Sequence, residues 1–457
     1  MPNDQENGRA KESESANRRT LGQRGLRYIP AGFWEKSGLW RLQRGVSESS
    51  YYAFLRADPA ALSFCLLWIF GSGLGQTFFL SIFQPYWAAG LGLGTGPMGL
   101  LYGTATLASG LLLQRLGRWV DHAAPGRVVM AAAFGLSGGF VLMAITVHWS
   151  MLLVAVFMMR FFGQGVSSML GTTSAVRWFS RDQSKAVSVA GLGYPLGEAV
   201  FPWLLLLAVG LIGWRGTAWG VAVLALVVFL PISFSLLRRS EGARRQSEAS
   251  ARASKGGKRA TSVFRDKLFL TILVVIVPQP FIGTGIIFFQ TIIADYHGWP
   301  GGTFATGFLI FALTRAPCSI FAGAWADRIG PERLLGLPTA ILGGGLLLLI
   351  LPYPLAAYGY FASMGLCFGL SSAVVTPLFG KLFGVDRIGE VRGASASVAI
   401  FSTAMAPAVF GYALELGAPP TAVLAACAAV LLLVSLPVGL MIRRRLIRKA
   451  SAGSRRP

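Results

Sequence analysis

Three ionisable residues stand in the middle of otherwise apolar stretches of this 457-residue chain: Arg160, Glu198 and Arg315. A lone charge at the centre of a bilayer costs at least ~2.5–3.5 kcal/mol, so groups of this kind mark ion or substrate paths. Arginine stays charged at any physiological pH and grips a carboxylate or phosphate through two parallel N–H donors. Two arginines against one glutamate leave a positive balance, so Arg160 and Arg315 are the candidates for holding an organic anion. Glu198 is the candidate for carrying a coupled proton. Arg160 and Glu198 lie about 12 and 13 residues from the same ends of consecutive stretches, which is ~18–20 Å of helix for each. Equal depth predicts that the two face each other. Loss of the Glu198 proton then strengthens that pair and alters substrate affinity, which couples the two fluxes. The alternatives are a purely structural Arg160–Glu198 pair and an Arg315 that only bonds helix carbonyls.

Side-chain amides form the second group. Gln76, Gln164, Gln279 and Gln290 fall in the same apolar stretches as candidates for substrate contact, because an amide reads a carboxylate, hydroxyl or ring nitrogen without adding charge. Hydrogen bonding between helices is the competing role for each of them. Catalytic chemistry has no comparable set: no nucleophile–base pair, phosphate-cradling Gly-Lys-Ser/Thr loop or metal spacing is visible. The four cysteines, Cys65, Cys318, Cys367 and Cys427, are far apart, and each is buried in an apolar run. No enzyme activity, metal or other cofactor is expected, and without a nucleotide site the energy source must be an ion gradient.

Helices that cross a membrane must position these residues. Hydrophobic residues make up 54% of the chain and charged residues 13%, about half the ordinary share. A bilayer core of ~30 Å takes about 20 apolar residues per helix. Twelve runs qualify: 61–83, 97–115, 128–147, 150–172, 185–208, 213–237, 268–294, 302–324, 334–352, 354–381, 393–413 and 419–441. Their length and lack of strict alternation favour helices over barrel strands. The chain is therefore expected to be an all-α membrane protein.

The net charge of +22 then acquires a meaning. Of the 41 lysines and arginines, 38 fall in the tails, the central linker and alternate loops. The other three are Arg160 and Arg315 within spans and Arg215 on the opposite side. Such asymmetry places both termini in the cytoplasm. It also accounts for the basic excess without nucleic-acid binding, which needs the charges spread over a folded surface.

The two halves repeat. Gly117, Trp119, Asp121, Pro125 and Arg127 recur 206 positions later as Gly323, Trp325, Asp327, Pro331 and Arg333. Ser188-Val189-Ala190 and Ala199-Val200-Phe201 recur 209 positions later as Ser397-Val398-Ala399 and Ala408-Val409-Phe410. Two six-helix bundles of like orientation, related by a pseudo-two-fold axis along the membrane normal, place a central site between them.

Those loops carry a resemblance. Gly323, Asp327, Arg328 and Gly330 fit the Gly-x-x-x-Asp-Arg-x-Gly loop signature of the major facilitator superfamily, and residues 58–441 resemble its members. The copy at Gly117 and Asp121 departs from the signature, with His122 in place of Arg. Arg160-Phe161-Phe162-Gly163-Gln164-Gly165 is similar to the family's fourth-helix pattern. The resemblance implies a secondary transporter working by alternating access, with spans one, four and seven lining the cavity. It also implies a cytoplasmic latch at the Asp loops, assigning gating to Gly117, Asp121, Arg127, Gly323, Asp327, Arg328 and Arg333. Arg177-Trp178-Phe179 with Gly191, Gly193 and Gly197 is similar to the monocarboxylate and oxalate–formate branches. Tyr194 and Glu198 break the Gly-Pro-x-x-Gly-Gly pattern of the drug antiporters.

The expected organisation is a basic N-terminal segment (1–58), a six-helix bundle (59–237), a linker (238–267), a second bundle (268–441) and a basic tail (442–457). The Ser/Glu/Arg-rich N-terminal segment is expected to be disordered; residues 31–46 mix Phe33, Trp34 and Trp40 with cations and suit either the anionic inner leaflet or a disordered tail. The expected protein is a monomer of a bacterial-type inner membrane that moves a small organic anion, with protons and lipid as its other partners. Proton-coupled export of amphipathic cations is the rival reading, and a transporter-like receptor or assembly partner is a third.

Overall fold

The computed structural model describes residues 53–179, 182–241, 263–384 and 387–453. Contacts divide the chain into two units, Met1–Pro59 and Ala60–Pro457. Of the first, residues 53–57 are helical. The expected surface segment 31–46, linker residues 242–262 and the side chain of Asp121 lie outside the described residues.

The second unit is built from helices, and no strand forms among the described residues. It opens with α1 (Pro59–Gly71), a 3-10 turn (Ser72–Gly75), α2 (Thr77–Leu80) and α3 (Gln84–Leu91). Next come α4 (Thr95–His122), α5 (Pro125–Ala144), α6 (Trp149–Met158), a π-helical stretch (Met159–Ser167) and α7 (Ser168–Trp178). α8 (Gln183–Gly191), α9 (Gly193–Leu224) and α10 (Leu230–Arg239) complete the first half. The second half holds α11 (Lys267–Ile276), α12 (Pro278–Phe288), α13 (Gln290–His297), α14 (Thr303–Ile329) and α15 (Pro331–Leu334). It ends with α16 (Leu337–Leu349), α17 (Pro354–Phe383), α18 (Ile388–Glu415), α19 (Pro420–Ala429) and α20 (Leu436–Gly453).

Hydrocarbon offers the backbone no partners, so each spanning segment must satisfy its own N–H and C=O groups by helix formation. Pro125, Pro354 and Pro420 stand at helix starts, where a missing N–H costs nothing. Among the described residues, ten helices are long and apolar enough to cross a membrane, or eleven when the bent pair Pro59–Gly75 and Thr77–Leu91 counts as one. Sequence reading expects twelve. The difference lies in Gln183–Arg239, a single run of 57 residues. At 1.5 Å per residue it extends about 85 Å, far beyond one ~30 Å crossing. Gly213 interrupts it at φ 69° and ψ 167°, a backbone conformation that other residues rarely adopt.

The halves meet along α4 against α18 and α9 against α14. At the end remote from the repeated Gly-Asp loops, they are closed together. Thr95 Oγ1 donates to the Gly411 carbonyl at 2.9 Å, and the Gly96 amide donates to Glu415 Oε2 at 2.7 Å. Phe78 packs on Phe308 (5.5 Å between centroids) and Tyr102 on Phe288 (4.3 Å). Gln290 Nε2 donates to Ser81 Oγ at 2.8 Å, with both residues buried. Contact between α4 and α18 continues toward the loop end, where Gln114 Nε2 donates to Ser397 Oγ at 3.2 Å.

Candidate functional site

A cavity of about 300 Å³ lies between the halves and collects Arg160, Glu198, Arg315, Gln76 and Gln164. It is positioned by a broken helix. After the 3-10 turn, Gln76 adopts φ −86° and ψ 159°, and the axis bends by 45° before the chain resumes as α2. The break frees the Gly75 carbonyl from helical bonding. It requires glycine at that position, since a β-carbon on Gly75 would overlap the Met159 carbonyl and the Gln164 amide. Broken helices at membrane depth are tolerated where they line a polar cavity, as here.

Arg160 belongs to the π-helical stretch Met159–Ser167 that packs on this break. Irregularities of this type concentrate at functional sites because they redirect side chains. One guanidinium nitrogen of Arg160 donates to the Gly75 carbonyl at 3.2 Å and to Thr77 Oγ1 at 3.4 Å. The guanidinium carbon lies 5.5 Å from the centre of the Tyr102 ring. No carboxylate bonds Arg160 among the described residues, and its buried Nε has no partner. A buried cation with an unfilled donor is a receptor for an anionic oxygen.

Glu198 behaves differently from expectation. The carboxylate accepts two bonds from Arg315 Nη1, at 2.6 Å to Oε1 and 2.9 Å to Oε2, across the boundary between the halves. The predicted Arg160–Glu198 pair does not form. Equal depth brings both residues to the cavity wall, but α9 packs against α14, so the nearest guanidinium is that of Arg315. Close approach of α17 to α14 holds Arg315 in place. Gly365 and Gly369 lie against the Arg315 backbone, and a β-carbon at either would collide with Thr314 and the Phe311 carbonyl or with Cys318 beside it. Arg315 also covers the Phe311 ring at 5.4 Å.

Gln76 and Gln164 line the cavity as expected. Gln279 and Gln290 do not; the structure uses both to join helices. Gln279 Nε2 donates to Thr339 Oγ1 at 3.2 Å and its Oε1 accepts from Ser371 at 2.8 Å, tying α12 to α16 and α17. Gln290 is the partner of Ser81 at the closed end. Of the gating candidates, Arg127, Asp327, Arg328 and Arg333 are exposed and form no ion pair among the described residues. Gly117 sits on α4 beneath Met169, and Gly323 faces open space. The acid that does engage at this loop is Glu332, whose carboxylate meets Lys381 Nζ at 2.7 Å within the second half.

Sequence reading missed Ser168 and Tyr194, which line the cavity and share a 2.6 Å hydrogen bond between their hydroxyls. The signal was present. Arg160, Gln164 and Ser168 recur every four residues, and Tyr194 precedes Glu198 by the same interval, the spacing of one helix face. Phe308, Phe311, Met364 and Phe368 were missed as well, because an apolar residue facing a cavity reads like one facing lipid.

Three comparisons with known proteins bear on this site. The family model for the Major Facilitator Superfamily matches residues 65–407. The peptide transporter POT, solved in complex with alafosfalin, superposes with a TM-score of 0.59 at 15% identity, covering 84% of this chain and 94% of that one. The human organic anion transporter MFSD10 (TETRAN) superposes with a TM-score of 0.55 at 15% identity, covering 84% and 99%. At that identity the two structures speak for the fold alone. No curated protein matches in sequence. With the family match covering most of the chain, and with a broken helix, membrane-length spans and a charged cavity between two halves, the chain belongs to the major facilitator superfamily and is a multi-pass membrane transporter of small molecules, not an enzyme.

Proposed function

We propose that this protein is a secondary active transporter of small organic anions, driven by protons and working by alternating access. One observation carries the reading: the buried guanidinium of Arg160, with no acid partner among the described residues, lines a cavity beside an ion pair that bridges the halves. Arg160 receives the anion, with Gln76 and Gln164 within the same lining. Glu198 is the proton carrier. In its charged form it holds Arg315 and the two halves together, and protonation loosens that bridge and lets the halves move. Since Arg315 already satisfies Glu198, the rival cation-export reading lacks a free acid in the cavity.

Twelve spans follow if Gln183–Arg239 crosses twice around Gly213 and the bent first segment crosses once. Both termini then lie on the side of the basic loops, the cytoplasm, in the inner membrane of a bacterium-like cell. The organisation stays that of a basic segment to residue 58, bundles over 59–237 and 268–441, a linker between them and a basic tail; a monomer suffices. In this orientation the closed end faces outward, which suits an inward-facing conformation. Asp327 and Arg328, which form no ion pair among the described residues, fit this state, because the latch expected from Gly117, Asp121, Arg127, Gly323, Asp327, Arg328 and Arg333 acts when the cytoplasmic side is shut.

Uptake of labelled organic acids into proteoliposomes under an imposed pH gradient tests the proposal. Accumulation that depends on the gradient and on Arg160 is the expected result. Transport that persists unchanged in Arg160→Ala would overturn the anion assignment.

A further inference from the structure

The cavity is divided by chemistry along the boundary between the halves. Its first-half wall is polar: Gln76, Arg160, Gln164, Ser168, Tyr194 and Glu198, with Phe78 as the apolar exception near the closed end. Its second-half wall is dominated by Ile287, Phe308, Phe311, Met364 and Phe368. The polar groups on that side are Thr284, Thr403 and Arg315, and the charge of Arg315 is met by both oxygens of Glu198. Phe311 and Phe368 meet edge to face at 6.0 Å between centroids, and Phe308 meets Phe361 behind it at 4.9 Å, so the apolar wall is a packed aromatic surface.

We infer that the substrate is an amphipathic monoanion: a single carboxylate or equivalent head on Arg160 and an aryl or branched apolar body against Phe308, Phe311, Met364 and Phe368. This rests on the anion reading proposed above and narrows it. One unneutralised guanidinium balances one negative charge. A second carboxylate would be left in the cavity beside Glu198 or among phenyl rings, with no cation to receive it. A polyhydroxylated acid is disfavoured for a related reason, because hydroxyls turned to the aromatic wall find only Thr284 and Thr403 as uncharged polar partners there. An apolar body, by contrast, gains affinity from every part of its surface that leaves water. The volume of about 300 Å³ admits a body the size of a phenyl or cyclohexyl ring with a short acid arm.

The test uses the full chain in lipid nanodiscs and equilibrium competition among three probes: phenylacetate, acetate and succinate. Phenylacetate is expected to bind at least about tenfold more tightly than acetate, since a buried ring contributes well over the equivalent of a tenfold gain. Succinate is expected to compete no better than acetate. Phe368→Ala is expected to remove most of the phenylacetate advantage over acetate, with a cooperative thermal unfolding transition reporting that the variant is folded. Met364→Ala provides a second reading of the same wall, should Phe368→Ala fail to fold. Succinate binding as tight as phenylacetate would overturn the inference, as would a phenylacetate advantage that survives both variants. Binding of acetate and succinate that depends on Arg160 without a phenylacetate preference would sink this inference and leave the anion reading standing. If none of the three anions binds, both fall.

Discussion

Arg315 and Glu198, 117 positions apart and on opposite halves of the chain, share a two-oxygen contact at 2.6 and 2.9 Å in the wall of the central cavity. The pair ties α14 to α9 near mid-membrane depth, where a change in either charge is felt by both the substrate space and the packing of the halves. Because Arg315 is partly exposed while Glu198 is buried, water and solutes reach the bridge from the guanidinium side.

Removing one partner should harm the protein more than removing both. Glu198→Gln and Arg315→Gln each leave a charge unmatched, whereas the double variant leaves none. A double-mutant cycle on thermal unfolding is expected to show a favourable coupling of about 1–3 kcal/mol. Additive effects would mean that the bridge contributes nothing to holding the halves.

Glu198→Gln should also separate exchange from accumulation. Without a titratable group the carrier cannot move protons, so uptake driven by a pH gradient is expected to fall to the level of equilibration. Substrate counterflow, which needs no net proton movement, is expected to persist. Both are measured on the same proteoliposomes, and accumulation at the original level excludes Glu198 as the carrier.

Arg160→Lys keeps the charge and loses the fork. A lysine cannot bond the Gly75 carbonyl and a bidentate anion with one planar group, so substrate affinity is expected to drop about 10–100-fold, with Arg160→Ala weaker still. Competition binding measures this directly.

Gly75→Ala should be destabilising although alanine is the better helix former. The added methyl has no room against Met159 and Gln164, and forced overpacking costs about 1–3 kcal/mol. A lowered unfolding temperature or yield is expected; a stabilised variant would show that the close contact of the broken helix with the π-helical stretch is dispensable.

The hydrogen bond from Gln290 to Ser81 bolts the closed end. Interhelical bonds in membranes average about 0.6 kcal/mol, which is about threefold in a conformational ratio. In sealed vesicles, a cysteine at position 76 is expected to label from the repeat-loop side. Gln290→Ala should raise its labelling from the other side by about that factor. Equal labelling from both sides in the unaltered bundle would contradict a closed end.

Much of this was legible from residue order. Apolar run length identifies a membrane protein because hydrocarbon thickness is a fixed ruler, and the spans at 97–115, 128–147 and 354–381 coincide with α4, α5 and α17. The three mid-span charges, Arg160, Glu198 and Arg315, all reach the cavity, because a charge that a bilayer cannot tolerate has few other places to go. Tertiary structure alone decided the partners. Spacing along a helix determines which face a residue occupies but not which helix that face will meet. Arg160 and Glu198 are therefore at matching depth and yet unpaired, while Glu198 joins Arg315 across the boundary. The same limit explains the glutamines. Gln76 and Gln164 face the cavity, and Gln279 and Gln290 are consumed by neighbouring helices. An amide satisfies either environment equally well, so only the packing of the bundle distinguishes them.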